Sequence, residues 1–181
     1  MKYDKCFVPI PGFPGYEINL NGEVWSHRSG RLLTGYLSKK GYCTVTTMRP
    51  DGNRGEWTGG RHRLLAIAFL GLDITSKLQI DHRDEDKGND DISNLRIASN
   101  AENRRNISMM RSNTSGHRGV SWDKRARKWQ VQIRSGSKQL HLGIFDDINE
   151  AAAARKAAEI KYYGKFRPGY SADQPTDGGA K

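Results

Sequence analysis

Residues 78–106 read LQIDHRDEDKGNDDISNLRIASNAENRRN, and this stretch decides the fold. Two short apolar runs, LQI and LRI, have the character of strands, and the acidic, Gly/Asn-rich segment between them reads as a loop. NAENRRN then reads as the start of a helix. The stretch places Asp81 and His82 together, Asn94 twelve residues on, and Asn103 nine further. A strand end, a loop and a helix start bring a carboxylate, an imidazole and amide oxygens towards one point. Metal-assisted phosphodiester cleavage needs such a set: oxygen ligands for a hard cation and a base for water.

The acids of RDEDKGNDD do not form a calcium loop. Counted from Asp84, the glycine (Gly88) falls at position five instead of six, and position twelve is Leu95 and not Glu. These acids read as solvated, with Asn89 and Asn94 tying the loop down through side-chain-to-backbone hydrogen bonds. Upstream, RHRLLAIAFL (61–70) has a wide helical apolar face made by Leu64, Leu65, Ile67, Ala68 and Phe69. His62, at the start of this helix, is open to two readings. It is a second catalytic histidine, or a hydrogen-bonded one that packs the helix against the loop, and the second reading is the preferred one.

The set Asp81-His82, Asn94 in SNLR and Asn103 in AENRRN, with HRLLAIAFLG before it, resembles the HNH (His-Me finger, ββα-metal) nuclease motif. The branch it resembles is that of phage and intron-encoded homing endonucleases. The resemblance covers roughly residues 60 to 106. It implies that His82 is the general base and that Asp81 and Asn103 hold one divalent cation, magnesium with manganese as a substitute. Asn94 then orients the loop that carries His82. The third position is Asn where the family name has His, a variant common in this branch.

Composition agrees with small modules on a polyanion. The apolar fraction of the 181 residues is 35%, charged residues make up 28%, and the net charge is +10. From Arg104 to His141 there are ten Lys/Arg and one acid, Asp123, so nearly all the excess sits in one segment. That is the footprint of nucleic-acid binding more than of an evenly solvated surface. Cys6 and Cys43 form no CxxC pair, so no structural zinc is expected. No apolar run approaches the roughly 20 residues of a membrane helix, and the N-terminus lacks a signal-peptide core. The expectation is an intracellular protein, in the host cytoplasm if phage-encoded, acting as a monomer or weak dimer.

Residues 1–58 read as a small β-rich unit with an Asn-Gly turn in YEINLNGEVWS and an Asp-Gly candidate in RPDGN. Its PGYEIN-x-x-G-x-V-x-S pattern resembles a modular motif that precedes HNH domains, with a structural or DNA-contacting role. Trp25 and Trp57 read as core more than as base-stacking residues. Residues 59–106 form the nuclease core, 107–116 a Ser/Asn/Gly linker, and 167–181 a tail expected to be disordered. Between them, at 117–166, WQVQIR and KQLHLGIF alternate as strands around an SGS turn. DDINEAAAARKAAEIKYYG reads as a helix with acids at its start and Gly164 after its end.

This order of three strands and a helix resembles the plant Apetala/ethylene-response-factor DNA-binding domain. The matching residues are RGV at Arg118–Val120, Trp129 to Arg134, and Leu142–Phe145. Ser121, Gln132 and His141 depart from the plant pattern, so its sequence preference does not transfer. The expected fold class is therefore α+β: a β-rich N-terminal module, a ββα-metal core, and a three-stranded antiparallel sheet on one helix. The expected partner is double-stranded DNA. Arg104, Arg105, Lys124, Arg127, Lys128 and Lys138 are candidates for phosphate, and Arg118 and Arg134 for base edges. Two other readings remain open: a catalytically silent DNA-binding protein on the same scaffold, and an RNA-binding one.

Overall fold

A computed structural model of the chain describes residues 6–49, 55–106, 109 and 111–170. The first five residues, the Asp-Gly turn candidate at 51–52, linker positions 107, 108 and 110, and the tail from 171 lie outside the described residues. The chain divides into two compact units, Met1–Asn100 and Ala101–Lys181.

The first unit opens with strands β1 (Val8–Pro9), β2 (Tyr16–Ile18), β3 (Val24–Ser26) and β4 (Arg31–Leu33), paired in that order into an antiparallel sheet. The expected Asn-Gly turn is wider than two residues. Asn19 is buried, its Oδ1 accepts from the Glu23 N–H at 2.9 Å, and its Nδ2 donates to Glu23 Oε2 at 2.7 Å. Gly22 sits at φ +76°, and a Cβ there would lie 2.7 Å from the Arg61 side chain. The glycine is needed twice, for its left-handed φ and for the room it leaves Arg61.

Strands β5 (Tyr36–Leu37), β6 (Cys43–Met48) and β7 (Glu56–Gly60) form a second antiparallel sheet, and helix α1 (Arg61–Phe69) follows directly. The Met48 N–H donates to Tyr16 Oη at 3.0 Å, joining the two sheets. Leu64, Leu65, Ala66 and Ile67 are all buried, so four consecutive helical residues face protein and α1 is covered on more than one side. Arg63 reaches from α1 to the carbonyls of Ser76 and Leu78 and fixes the approach to the next strand. That strand, β8 (Gln79–His82), pairs antiparallel with β9 (Leu95–Ala98), and residues 83–94 form the loop between them.

One buried apolar cluster runs through the whole unit, from Ile10, Phe13, Ile18 and Val24 through Val45, Leu64 and Leu65 to Ile80 and Leu95. Trp57 packs against it, edge-on to Phe13 at 5.0 Å, which fits its reading as core. Burying each of these side chains contributes roughly 1.5–3 kcal/mol.

Helix α2 (Asn100–Asn103) is a single turn, tightened at once into a 3-10 turn over Arg104–Asn106. The second unit is built from β10 (Val120–Asp123), β11 (Lys128–Ser135), β12 (Lys138–Phe145) and α3 (Ile148–Tyr163), with the strands antiparallel in that order. Asp147 caps α3, its side chain accepting from the Asn149 and Glu150 N–H groups, and Gly164 closes it at φ +52°. Val131 and Ile133 are buried with Ala151 and Ala158 of α3, the small alanines letting the helix lie close to the sheet. The alternate residues Gln130, Gln132 and Arg134 point to the opposite, open face. Both units mix strands with few helices, the α+β class expected from the sequence.

Candidate active site

The β8–β9 register sets Asp81 opposite Arg96 and His82 opposite Leu95. The strand starts one residue later than LQI and ends two residues later, so Asp81 and His82 lie in it and His82 is its last residue. Both are buried. Arg96 Nε donates to Asp81 Oδ2 at 2.7 Å, a charge-assisted bond across the hairpin. His82 Nε2 lies 3.0 Å from Asp90 Oδ1, and Arg61 Nε donates to Asp90 Oδ2 at 2.8 Å. Asp90 is 6% exposed, which corrects the reading of the loop acids as uniformly solvated. Burial alone would push its carboxyl up. The bonds from His82 and Arg61, with the charge of Arg61, outweigh that and hold it below the usual carboxylate range.

Three rings gather beside this relay. His62 lies edge-on to His82 with centroids 5.2 Å apart, and Tyr42 lies 5.0 Å from His62 and 6.0 Å from His82. Burial, and then the charge of His82, push His62 down from 6.5 to about 4, so it is neutral across the physiological range. Burial and the Asp81 carboxylate push the Tyr42 phenol up. The ligand atoms of His62, His82 and Asp90 all lie within 4.8 Å of one another, the one such cluster among the described residues.

The loop is held as its asparagines imply. Asn94 Oδ1 accepts from the Asp84 N–H at 3.1 Å, and Asn94 Nδ2 donates to the Asn89 carbonyl at 2.8 Å and to Asp84 Oδ1 at 2.9 Å. Asn89 Nδ2 adds a bond to Asp84 Oδ2 at 2.7 Å. Asn94 thus spans the base of the loop that begins just after His82.

In the second unit, Asn103 is half-buried at the end of α2. Lys124 and Arg127 lie in the turn between β10 and β11, Arg127 at φ +53°. Lys128 pairs with Asp146 at 3.1 Å. Lys138 starts β12 and is exposed. Arg134 is exposed on β11, but Arg118 precedes β10 instead of standing in a strand. Arg104, Arg105, Arg118 and Arg134 line one cavity together with Arg155 of α3.

Sequence reading therefore missed Asp90, Arg61, Tyr42, Arg96 and Arg155. Arg61 and Arg155 each sit in a helical run whose apolar pattern drew the attention. Asp90 sits among five loop acids that look alike in the sequence.

A family model described as HNH endonuclease matches residues 60–105. H-N-H endonuclease F-TflII of Escherichia phage T5 is 32% identical over 164 residues, 90% of this chain and 78% of that protein. DNA endonuclease I-HmuI of Bacillus phage SP01 is 36% identical over 88 residues, 48% of each chain. The similarity to APETALA2-like protein 2 of Oryza sativa subsp. indica is confined to 54 residues at 41% identity, 30% of this chain and 12% of that protein. The matched family segment contains the whole of α1, the β8–β9 hairpin and its loop. With the similarity to the phage T5 enzyme running through nine-tenths of the chain, this protein belongs to the HNH endonuclease family and is an endonuclease.

Proposed function

We propose that the chain cleaves double-stranded DNA with His82 as general base and one divalent cation as cofactor. The observation that carries this reading is the Arg61–Asp90–His82 relay, buried at the end of β8 in the matched segment. Asp90 is held ionised, so it accepts only, and His82 Nε2 must donate to it. In the neutral ring that makes Nδ1 the basic nitrogen. A carboxylate on the far nitrogen fixes the tautomer and stabilises the imidazolium that forms when the ring takes a proton from water. Asn94 keeps the loop closed behind the ring.

A divalent cation bound here supplies charge stabilisation for the phosphate and the departing oxygen. Asp81 and Asn103 are the proposed ligands, an all-oxygen set suited to magnesium. Asp81 already accepts from Arg96, so a metal ion there would share its carboxylate with the guanidinium. A second ligand set is supported by the His62, His82 and Asp90 cluster. Its two imidazoles and one carboxylate suit manganese, zinc or another transition ion better than magnesium. The separation of up to 4.8 Å needs a small closure, because ligands about 2.1 Å from one ion stand no more than roughly 4.2 Å apart.

The second unit serves as the DNA-binding module, a sheet-and-helix domain of the Apetala kind. The concentration of cations there and the polar open face of Gln130, Gln132 and Arg134 support this assignment.

Nicking of a plasmid by the His82→Ala variant tests the proposal. Cleavage should fall about 10²–10⁴-fold with duplex binding retained. Wild-type cleavage by that variant would end the assignment of His82. His62→Ala decides between the two ligand sets: unchanged metal dependence favours Asp81 and Asn103, whereas its loss favours the histidine cluster.

A further inference from the structure

The second unit contains a cavity of about 610 Å³ whose lining includes Arg104, Arg105, Arg118, Arg134 and Arg155, and no carboxylate. Five guanidinium groups around one space repel each other more than the same charges spread over an open surface would. The arrangement is nonetheless built in detail. Arg105 and Arg155 both stack on the Tyr163 ring, at 5.2 Å and 5.7 Å from its centroid. Arg155 Nε donates to Glu159 at 2.8 Å and its Nη1 to the Gln132 carbonyl, so the side chain is fixed from two sides. Gly119 makes room for it: a Cβ there would lie 2.6 Å from Arg155 Nη1, and the residue sits at φ +65°. Asn113 and Ser112 add neutral polar groups to the lining.

We infer that this cavity is a phosphate seat, taking a phosphate group together with the sugar that carries it. Guanidinium forks bind phosphate oxygens in pairs, and stacking on an aromatic ring leaves the N–H edges of the fork open to an anion. The volume exceeds what a bare phosphate fills and falls in the range of small-ligand sites, which allows one nucleotide's worth of strand. The seat is a site of its own in the C-terminal unit and holds whether or not the proposed chemistry at His82 does. Its phosphate comes from a bound DNA backbone or from a free nucleotide, and these share the same recognition chemistry.

The test is a titration of the intact, chelator-treated protein with inorganic phosphate and with deoxycytidine monophosphate, read by calorimetry and ³¹P NMR. Saturable binding is expected, tighter for the nucleotide than for phosphate. It should weaken at least tenfold in the Arg104→Gln/Arg134→Gln double variant, in which two exposed side chains are changed and the thermal melt stays wild-type. Lys156→Gln, an exposed cation next to Arg155 in sequence, should bind as wild type. If duplex DNA displaces the nucleotide, the occupant in the working complex is the DNA backbone. If both bind together, it is a free nucleotide. Absence of saturable binding up to about 10 mM nucleotide, or equal weakening by Lys156→Gln, would overturn the seat in favour of diffuse surface charge.

Discussion

Acid should loosen the first unit through His62, in a pH window set by its burial. The ring is neutral in the folded protein down to about pH 4, whereas in the unfolded chain it titrates near 6.5. Between those values the unfolded state binds more protons, so stability falls as the pH falls. The contribution is intact above 6.5, declines by up to about 1.4 kcal/mol per pH unit, and reaches a total loss of about 3 kcal/mol near pH 4. Asp90 has the same sense but a lower window. Its carboxyl is held low, so the stability it brings is lost only below the usual carboxylate range. Urea denaturation in chelator at pH 7.5, 6.5, 5.5 and 4.5 measures the slope, with α1 peptides followed by deuterium pulses at one fixed labelling pH to isolate this unit. His62→Gln cannot take up the proton, so its stability should be nearly flat between pH 6.5 and 4.5, where the wild type declines. Parallel decline of the two proteins would refute the reasoning.

Other perturbations have equally definite outcomes. Asp147→Ala removes the acceptor for two N–H groups at the start of α3 and should cost about 0.5–2 kcal/mol in a urea melt of the second unit. Leu65→Ala empties a fully buried position in the shared core and should cost roughly 2–5 kcal/mol by the same assay. Gly119→Ala forces a Cβ to within 2.5 Å of the Gln132 carbonyl oxygen. It should destabilise the second unit by roughly 1–3 kcal/mol and weaken phosphate binding, because Arg155 has to move. Asp81→Ala and Asn103→Ala should each raise the magnesium needed for nicking, and the double variant should be far from additive if the two residues serve one ion.

The regular parts of the molecule were legible because their signals are local. The alternation of WQVQIR and KQLHLGIF gives β11 and β12 with a tight turn between them, and Asp147 and Gly164 mark the ends of α3. The Asp81-His82 pair and the asparagine-tied loop are likewise written within some fifteen residues. What escaped depends on partners distant in the chain. Asp90 looks like its neighbours Asp86 and Asp91, and what sets it apart is its bonding to His82 and to Arg61, the latter twenty-nine residues upstream. Arg96 follows from strand register, which shifts every partner if it slips by one residue. Tyr42 belongs to a hairpin with no chemical signature of its own, and Arg155 lies in an alanine-rich helix where it reads as a solvated charge.

The buried cluster shared by the first hundred residues bears on how such enzymes are cut and joined. The nuclease motif occupies β8, β9 and α1, but Ile10, Phe13, Ile18 and Val24 supply one wall of the core those elements rest on, and Tyr42 stands beside the histidines. A protein engineer excising residues 59–106 as a cassette would carry away the chemistry and leave its foundation behind. The transplantable piece is the whole first unit extended through Asn103, with the splice placed after α2. On the proposed division of labour, the chain beyond α2 is the part to exchange in a chimaera, and a change of target preference in such a chimaera would bear that proposal out.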